Sequence, residues 1–361
     1  MTHVLTVDQL EPPPPPSVRD LRPPPRFAGV AFETYAPQDP TQAAARDRLQ
    51  EFVLGRRWRH EVPGPDAGRP GRPVLQARAL RWPWQRPSPQ AGAGLYLDGG
   101  FGVGKTHLLA AAYAAADTSA KRYLSFQELV YLIGVMGMAR AQTEFATSDL
   151  LCIDEFELDD PGNTLIVKTF LAASFAAGTA VVTTSNTPPA AQGQGRFNAS
   201  DFKREIQSLA ASFEVVPVDG ADFRQRLRQG SWLTEAELTS RLQSEASPSP
   251  RLAVTWDELL ELLRSMHPTR FGGVLAQVGS VYLSGVRTLA SQNDALRFVH
   301  FIDKLYDRQV MLRASGDGPL IDVFDPSYRE GAYAKKHHRC ASRLAELLGE
   351  EVGERTGRIA V

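Results

Sequence analysis

Cysteine is scarce in this chain, with Cys152 and Cys340 the only two in 361 residues. Two thiols so far apart make neither a disulfide framework nor a zinc module, and they point to a reducing compartment. Net charge is nearly absent as well. Forty Lys and Arg against 41 Asp and Glu leave −1, which argues against a general nucleic-acid coat and leaves a local basic groove open. No apolar run reaches about 18 residues, so no transmembrane helix is expected. The N-terminus lacks a charged-then-apolar signal pattern, because Asp8, Glu11 and a proline tract interrupt it. These absences together predict a soluble cytoplasmic protein. What is present is ordinary: 43% apolar and 22% charged residues exclude wholesale disorder, and the length predicts roughly two domains.

Prolines at 12–16 and 23–25 mark residues 1–26 as an extended, disordered tail, either a flexible leader or a docking peptide. A helix is expected over 41–54, with Thr41 as its N-cap. Residues 55–92 are rich in Arg, Pro and Gly, carry Trp58, Trp82 and Trp84, and read as an irregular insertion. From residue 94 short apolar strands alternate with helices. Strands are expected at 95–97, 121–125, 149–153, 179–184 and 214–218, with helices at about 106–116, 126–138, 163–177 and 201–213. That alternation predicts an α/β fold, a parallel sheet covered by helices on both faces. The core is expected over 27–242 and a linker over 243–250. A smaller, mostly helical C-terminal region over 251–361 has helices at 255–266, 291–307 and 333–348, a Gly-rich apolar stretch at 271–283 and a strand at 309–314.

The chemistry is carried first by Gly99-Gly100-Phe101-Gly102-Val103-Gly104-Lys105-Thr106, which matches G-x-x-x-x-G-K-[ST]. Glycines let backbone N–H groups converge on phosphates in dihedrals that a Cβ would block. The helix that follows points its positive end at the same anions. Lys105 is placed to reach the β- and γ-phosphates of ATP, and the Thr106 hydroxyl to ligate Mg²⁺. His107 reads as a residue of the helix start beside the nucleotide.

Two further strand ends support this. Leu150-Leu151-Cys152-Ile153 runs into Asp154-Glu155, and acids at the carboxyl end of a parallel strand sit where the ligand crevice opens. Asp154 is the expected Mg²⁺ holder and Glu155 the expected general base for the attacking water. Val181-Val182-Thr183-Thr184-Ser185-Asn186 ends in polar groups, placing Asn186 near the γ-phosphate and the water.

Three strand ends with these side chains in this order resemble the P-loop ATPases called AAA+. The resemblance implies a three-layer αβα sheet with the fourth core strand between the first and third, and a C-terminal lid. It also implies an arginine acting in trans from a neighbouring subunit, for which Arg196 and Arg204 are the candidates.

Narrower stretches resemble the ZapE-like ATPases, bacterial relatives of the mitochondrial AFG-type or lactation-elevated ATPases. They are Phe32 to Asp39 with Gln42, Asp154-Glu155-Phe156, Thr184-Ser185-Asn186, Val218-Asp219-Gly220, Asn293 to Phe298, Phe301 to Asp307, and Ser342-Arg343-Leu344. The resemblance covers about residues 27–348. It implies an Mg-ATP-hydrolysing ATPase assembled as a hexameric ring, remodelling a protein partner, the tubulin-like FtsZ, at the division site. It implies phosphate contacts from Arg297 and Arg343 in the lid.

Two stretches depart from that family's pattern. Gly102-Val103-Gly104-Lys105-Thr106-His107 lacks the family's extra basic residue and is similar to the helicase-loader and replication-initiator branch of AAA+. The segment before Phe202 lacks the family's glutamine-arginine pair. The alternative reading is therefore a helicase-loader-like protein acting with nucleic acid. The Arg- and Trp-rich stretch 55–86 suits that alternative.

Overall fold

The computed structural model describes residues 3–13, 17–60, 92–158, 160–192, 199–220, 230–245, 249–328 and 333–349. Most of the expected insertion, residues 61–91, and Arg196 lie outside them. The chain divides into two compact units. One is Val18–Arg22 with Val30–Gly220, and the other is Met1–Ser17 with Pro23–Gly29 and Ala221–Val361. The division falls earlier in the chain than the boundary expected at 242. In chain order the elements begin with a two-residue strand, β1 (Val4–Leu5), which belongs to the second unit.

The first unit holds α1 (Pro40–Leu54), β2 (Gly94–Asp98), α2 (Lys105–Ala115), β3 (Lys121–Ser125), α3 (Phe126–Met136) and α4 (Met138–Phe145). It continues with β4 (Leu150–Asp154), α5 (Pro161–Ala176), β5 (Ala180–Ser185), α6 (Ala199–Ala210) and β6 (Phe213–Pro217). Its sheet is parallel throughout, in the order β3-β4-β5-β2-β6. The fourth core strand, β5, thus lies between the first and third, as the AAA+ resemblance implied. Leu95, Leu97, Leu151, Ile153, Val181 and Val182 are fully buried, the signature of strands covered on both faces.

Local chemistry explains the departures from expectation. Asp39, not Thr41, caps α1, its carboxylate accepting from Thr41 N at 2.8 Å. Pro40 has no N–H to satisfy and a preset φ, so it takes the first helical position and moves the cap back. The single helix expected over 126–138 is two, because Gly137 at φ 79 breaks the path between α3 and α4. Trp58, read as part of a loose insertion, is 7% exposed. Beside it Arg59 donates to Asp149 Oδ1 at 2.8 Å and to the Ala177 carbonyl at 2.6 Å.

The second unit continues with α7 (Glu235–Ser244), β7 (Arg251–Thr255), α8 (Trp256–Ser265), α9 (Phe271–Leu275), β8 (Ser280–Val286), α10 (Gln292–Arg308), β9 (Met311–Gly316) and α11 (Ala334–Gly349). Its helices flank a second parallel sheet, β1-β7-β8-β9. The sequence reading foresaw only β9 of these strands. The N-terminal residues are not a uniform polyproline tail, since Val4 and Leu5 pair with Arg251 and Leu252. Gln277 then holds both backbone groups of Glu11, accepting from its N–H and donating to its carbonyl at 2.9 Å each. Arg270 donates to the Pro13 carbonyl.

Candidate active site

β2 ends at Asp98, and the loop that follows turns on two glycines with positive φ, Gly102 at 71° and Gly104 at 89°. Gly104 is required twice over. Its φ disfavours a side chain, and an added Cβ would lie 2.5 Å from the Tyr35 ring. Tyr35 donates its hydroxyl to the Val103 carbonyl at 2.9 Å. Burial pushes its phenol up to about 12, so it stays protonated as a donor. His107 Nε2 lies 3.0 Å from Thr34 Oγ1. The segment around 31–35 is therefore pinned onto the start of α2.

Lys105, the first residue of α2, is 8% exposed. Its ammonium donates to the carbonyls of Gly99 (2.8 Å) and Gly100 (2.5 Å) and to Asn186 Oδ1 (2.9 Å). Thr106 Oγ1 lies 3.3 Å from Asp154 Oδ1 at the end of β4. A hydroxyl and a carboxylate so placed are hard oxygen donors of the type Mg²⁺ takes. The glycine turns leave backbone N–H groups free of Cβ obstruction, so these residues fit a magnesium-bound triphosphate.

The Asp154 carboxylate is held from several sides. Thr184 donates to Oδ1, and Tyr123 donates to Oδ2 at 3.1 Å. Burial and then the neighbouring Glu155 push its carboxyl above the usual range, against the opposing hydrogen bonds. Glu155 has φ 53, in the left-handed region. Lys105, Thr106, Asp154, Glu155 and Asn186 are thereby brought to the carboxyl ends of β2, β4 and β5, with Gly99 to Gly104 as the connecting loop.

The AFG1-like ATPase family model matches residues 23–262 and 251–356. The chain belongs to the AFG1-like ATPase family. It is 28% identical over 298 residues to the cell division protein ZapE of Escherichia coli (strain K12), covering 72% of this chain and 78% of that protein. It is 25% identical over 301 residues to lactation elevated protein 1 homolog B of Danio rerio, covering 68% of this chain and 60% of that protein. Among solved structures it aligns with that of DnaI at a TM-score of 0.39 and 15% identity, over 55% of this chain and 93% of the other. This AFG1-like protein is a nucleotide-binding ATPase with an α/β P-loop fold. No helix among its described residues is long and apolar enough to cross a membrane.

The arginines expected around the nucleotide of this AFG1-like ATPase fare differently. Arg204 is exposed on α6. Arg297 donates to the carbonyls of Leu263 (2.6 Å) and Met266 (2.8 Å), closing the end of α8. Arg343 pairs with Asp303 on α10 and lies over the Tyr306 ring. Both of these guanidiniums are committed within the unit that carries them.

Three residues of the site escaped the sequence reading in their roles. They are Tyr123, Thr184 and Gln192. Gln192 is 4% exposed. Its Oε1 accepts from Leu158 N at 2.8 Å, and its Nε2 donates to Tyr96 OH at 2.8 Å and Ser185 Oγ at 3.0 Å. It staples the loop after Glu155 to the end of β5. A glutamine following Pro188-Pro189 in a loop gives no sign of this, because Leu158 and Tyr96 are 34 and 96 residues away.

Proposed function

We propose that this chain is an Mg-ATP-driven AAA+ remodeller of a protein partner, FtsZ, acting in the cytoplasm as a hexameric ring and recruited to the division site. The observation that carries the catalytic half is the convergence of Lys105, Thr106, Asp154, Glu155 and Asn186 at the carboxyl ends of β2, β4 and β5. On ATP binding, Lys105 exchanges loop carbonyls for phosphate oxygens, and backbone N–H groups of 100–105 cradle the chain. Thr106 and Asp154 would hold Mg²⁺, which would supply positive charge beside the phosphates. Glu155 takes a proton from the water whose oxygen bonds to the γ-phosphorus as the bond to the ADP oxygen breaks. Asn186 orients that water and the γ-oxygens.

The partner half rests on the family and on the likeness to a relative named as a cell division protein. It is tested by measuring ATPase rate with polymerised FtsZ and with single-stranded DNA in parallel, together with ATP-dependent co-sedimentation. Stimulation by FtsZ supports the proposal. Stimulation by DNA alone replaces it with the helicase-loader reading.

A further inference from the structure

We propose that Thr184 is a positioning residue for hydrolysis, a single hydroxyl that sets the geometry of both acids at the end of β4. The inference rests on the reading of Glu155 as the general base. Thr184 is 2% exposed and sits on β5, the strand beside β4 in the sheet. Its Oγ1 donates to Asp154 Oδ1 and at the same time accepts from the Glu155 backbone N–H at 3.1 Å. Its carbonyl accepts from Phe156 N at 2.7 Å. One residue therefore holds the side chain of Asp154 and the backbone of both residues that follow.

That grip falls where the backbone needs it. Glu155 and Gln309 are the non-glycine residues with positive φ among the described residues. Gln309 is the ordinary left-handed end of α10. Glu155 follows a strand, and nothing in helix geometry accounts for its conformation. Left-handed backbone is disfavoured for a residue with a Cβ and persists only where surroundings hold it. The Thr184 hydroxyl supplies that hold by bonding the Glu155 amide, and Asp154 Oδ1 shares the same N–H at 3.1 Å. The left-handed turn is what aims the Glu155 carboxylate, so releasing the amide lets the base wander.

The hydroxyl also links the two strand ends that must act together. Two residues beyond Thr184, Asn186 accepts from Lys105. The β5 end therefore touches the phosphate-binding lysine with one side chain and the two acids with another. Threonine suits this position on two counts. Its β-branch packs in a central strand, and its hydroxyl is donor and acceptor at once. Valine keeps the first property and loses the second. Serine keeps the hydroxyl.

The test compares T184V, T184S and E155Q in the full-length protein. In the nucleotide-free state, hydrogen exchange of the peptide covering 150–158 reads the Glu155 and Phe156 amides directly. T184V is expected to speed exchange there. It should lower kcat about 10²-fold, the scale of a misplaced catalytic group, while KM and calorimetric ATP affinity stay within about threefold. T184S is expected to restore both exchange protection and kcat. The proposal is overturned if T184V turns over within about twofold of wild type while E155Q is dead. It is equally overturned if kcat falls with no change in exchange. If E155Q itself hydrolyses ATP normally, the base assignment fails first and carries this inference with it. Should T184V not fold, Thr184→Ala is read by the same split, and loss of ATP affinity in step with kcat overturns the positioning role.

Discussion

Lys105 Nζ lies 2.9 Å from Asn186 Oδ1, so the phosphate-binding loop and the end of β5 are joined by one charge-assisted hydrogen bond. The same ammonium is satisfied by loop carbonyls, which keeps a buried cation partnered within this structure. Lys105→Ala removes the cation that has to meet the phosphates. Hydrogen bonds to charged groups contribute about 1.5–3 kcal/mol. ATP affinity by calorimetry should therefore fall roughly 10- to 150-fold. Unchanged affinity would place the triphosphate elsewhere.

Glu155→Gln keeps the shape of the side chain and removes the proton acceptor. General base catalysis is worth about 10²–10⁴-fold, so turnover should fall by that factor while ATP remains bound. Trapped ATP in a single-turnover assay checks this. Release of ADP at the normal rate sinks the assignment.

The loop before α2 gives a stability prediction. Gly104→Ala forces a Cβ onto a backbone at φ 89 and against the Tyr35 ring. Strain of this kind costs about 1–3 kcal/mol. Tyr35→Phe loses the hydrogen bond to the Val103 carbonyl, worth about 1 kcal/mol. Thermal melts of both variants should rank Gly104→Ala below Tyr35→Phe. A melt of Gly104→Ala at the wild-type temperature would mean that the loop takes another shape.

How much of this was readable beforehand depends on where each partner sits in the chain. The phosphate loop and the Asp154-Glu155 end are contiguous motifs, each at a strand boundary that the apolar runs mark. Thr184 meets Asp154 across 30 residues and Gln192 meets Tyr96 across 96, and pattern alone does not reveal such pairs. β7 was missed because its five residues begin with Arg251 directly after a serine-proline linker. β8 was missed because Ser284 and Gly285 interrupt its apolar run. The strand at Val4–Leu5 has only two residues, and its pairing with β7 decides it rather than any local propensity.

An arginine acting in trans should be solvent-facing when its subunit is alone, and Arg204 is exposed on α6. Arg204→Ala and Arg196→Ala are each expected to be inactive alone if they fill that role. Mixing either with Lys105→Ala should restore part of the activity, since one variant supplies the intact nucleotide site and the other the arginine. A variant that hydrolyses ATP normally by itself is excluded as the trans residue.

Asp303 on α10 offers a test in the second unit. Its carboxylate is buried between Arg339, at 2.9 Å, and Arg343. Burial alone pushes a carboxyl up, but Arg343 and then Arg339 outweigh it and hold Asp303 well below the usual carboxylate range. A carboxylate depressed on folding stabilises the protein above its unfolded value near about 4, and that stabilisation is lost as pH falls through the folded value. Removing one partner of such a buried group leaves uncompensated charge, a cost of about 3–5 kcal/mol. Asp303→Asn should therefore lower the urea midpoint at pH 7, and the difference from wild type should shrink as the pH drops below about 4. A constant difference across that window would show that the loss comes from packing rather than from the charge, and an unchanged midpoint at pH 7 would mean that the two arginines find other partners.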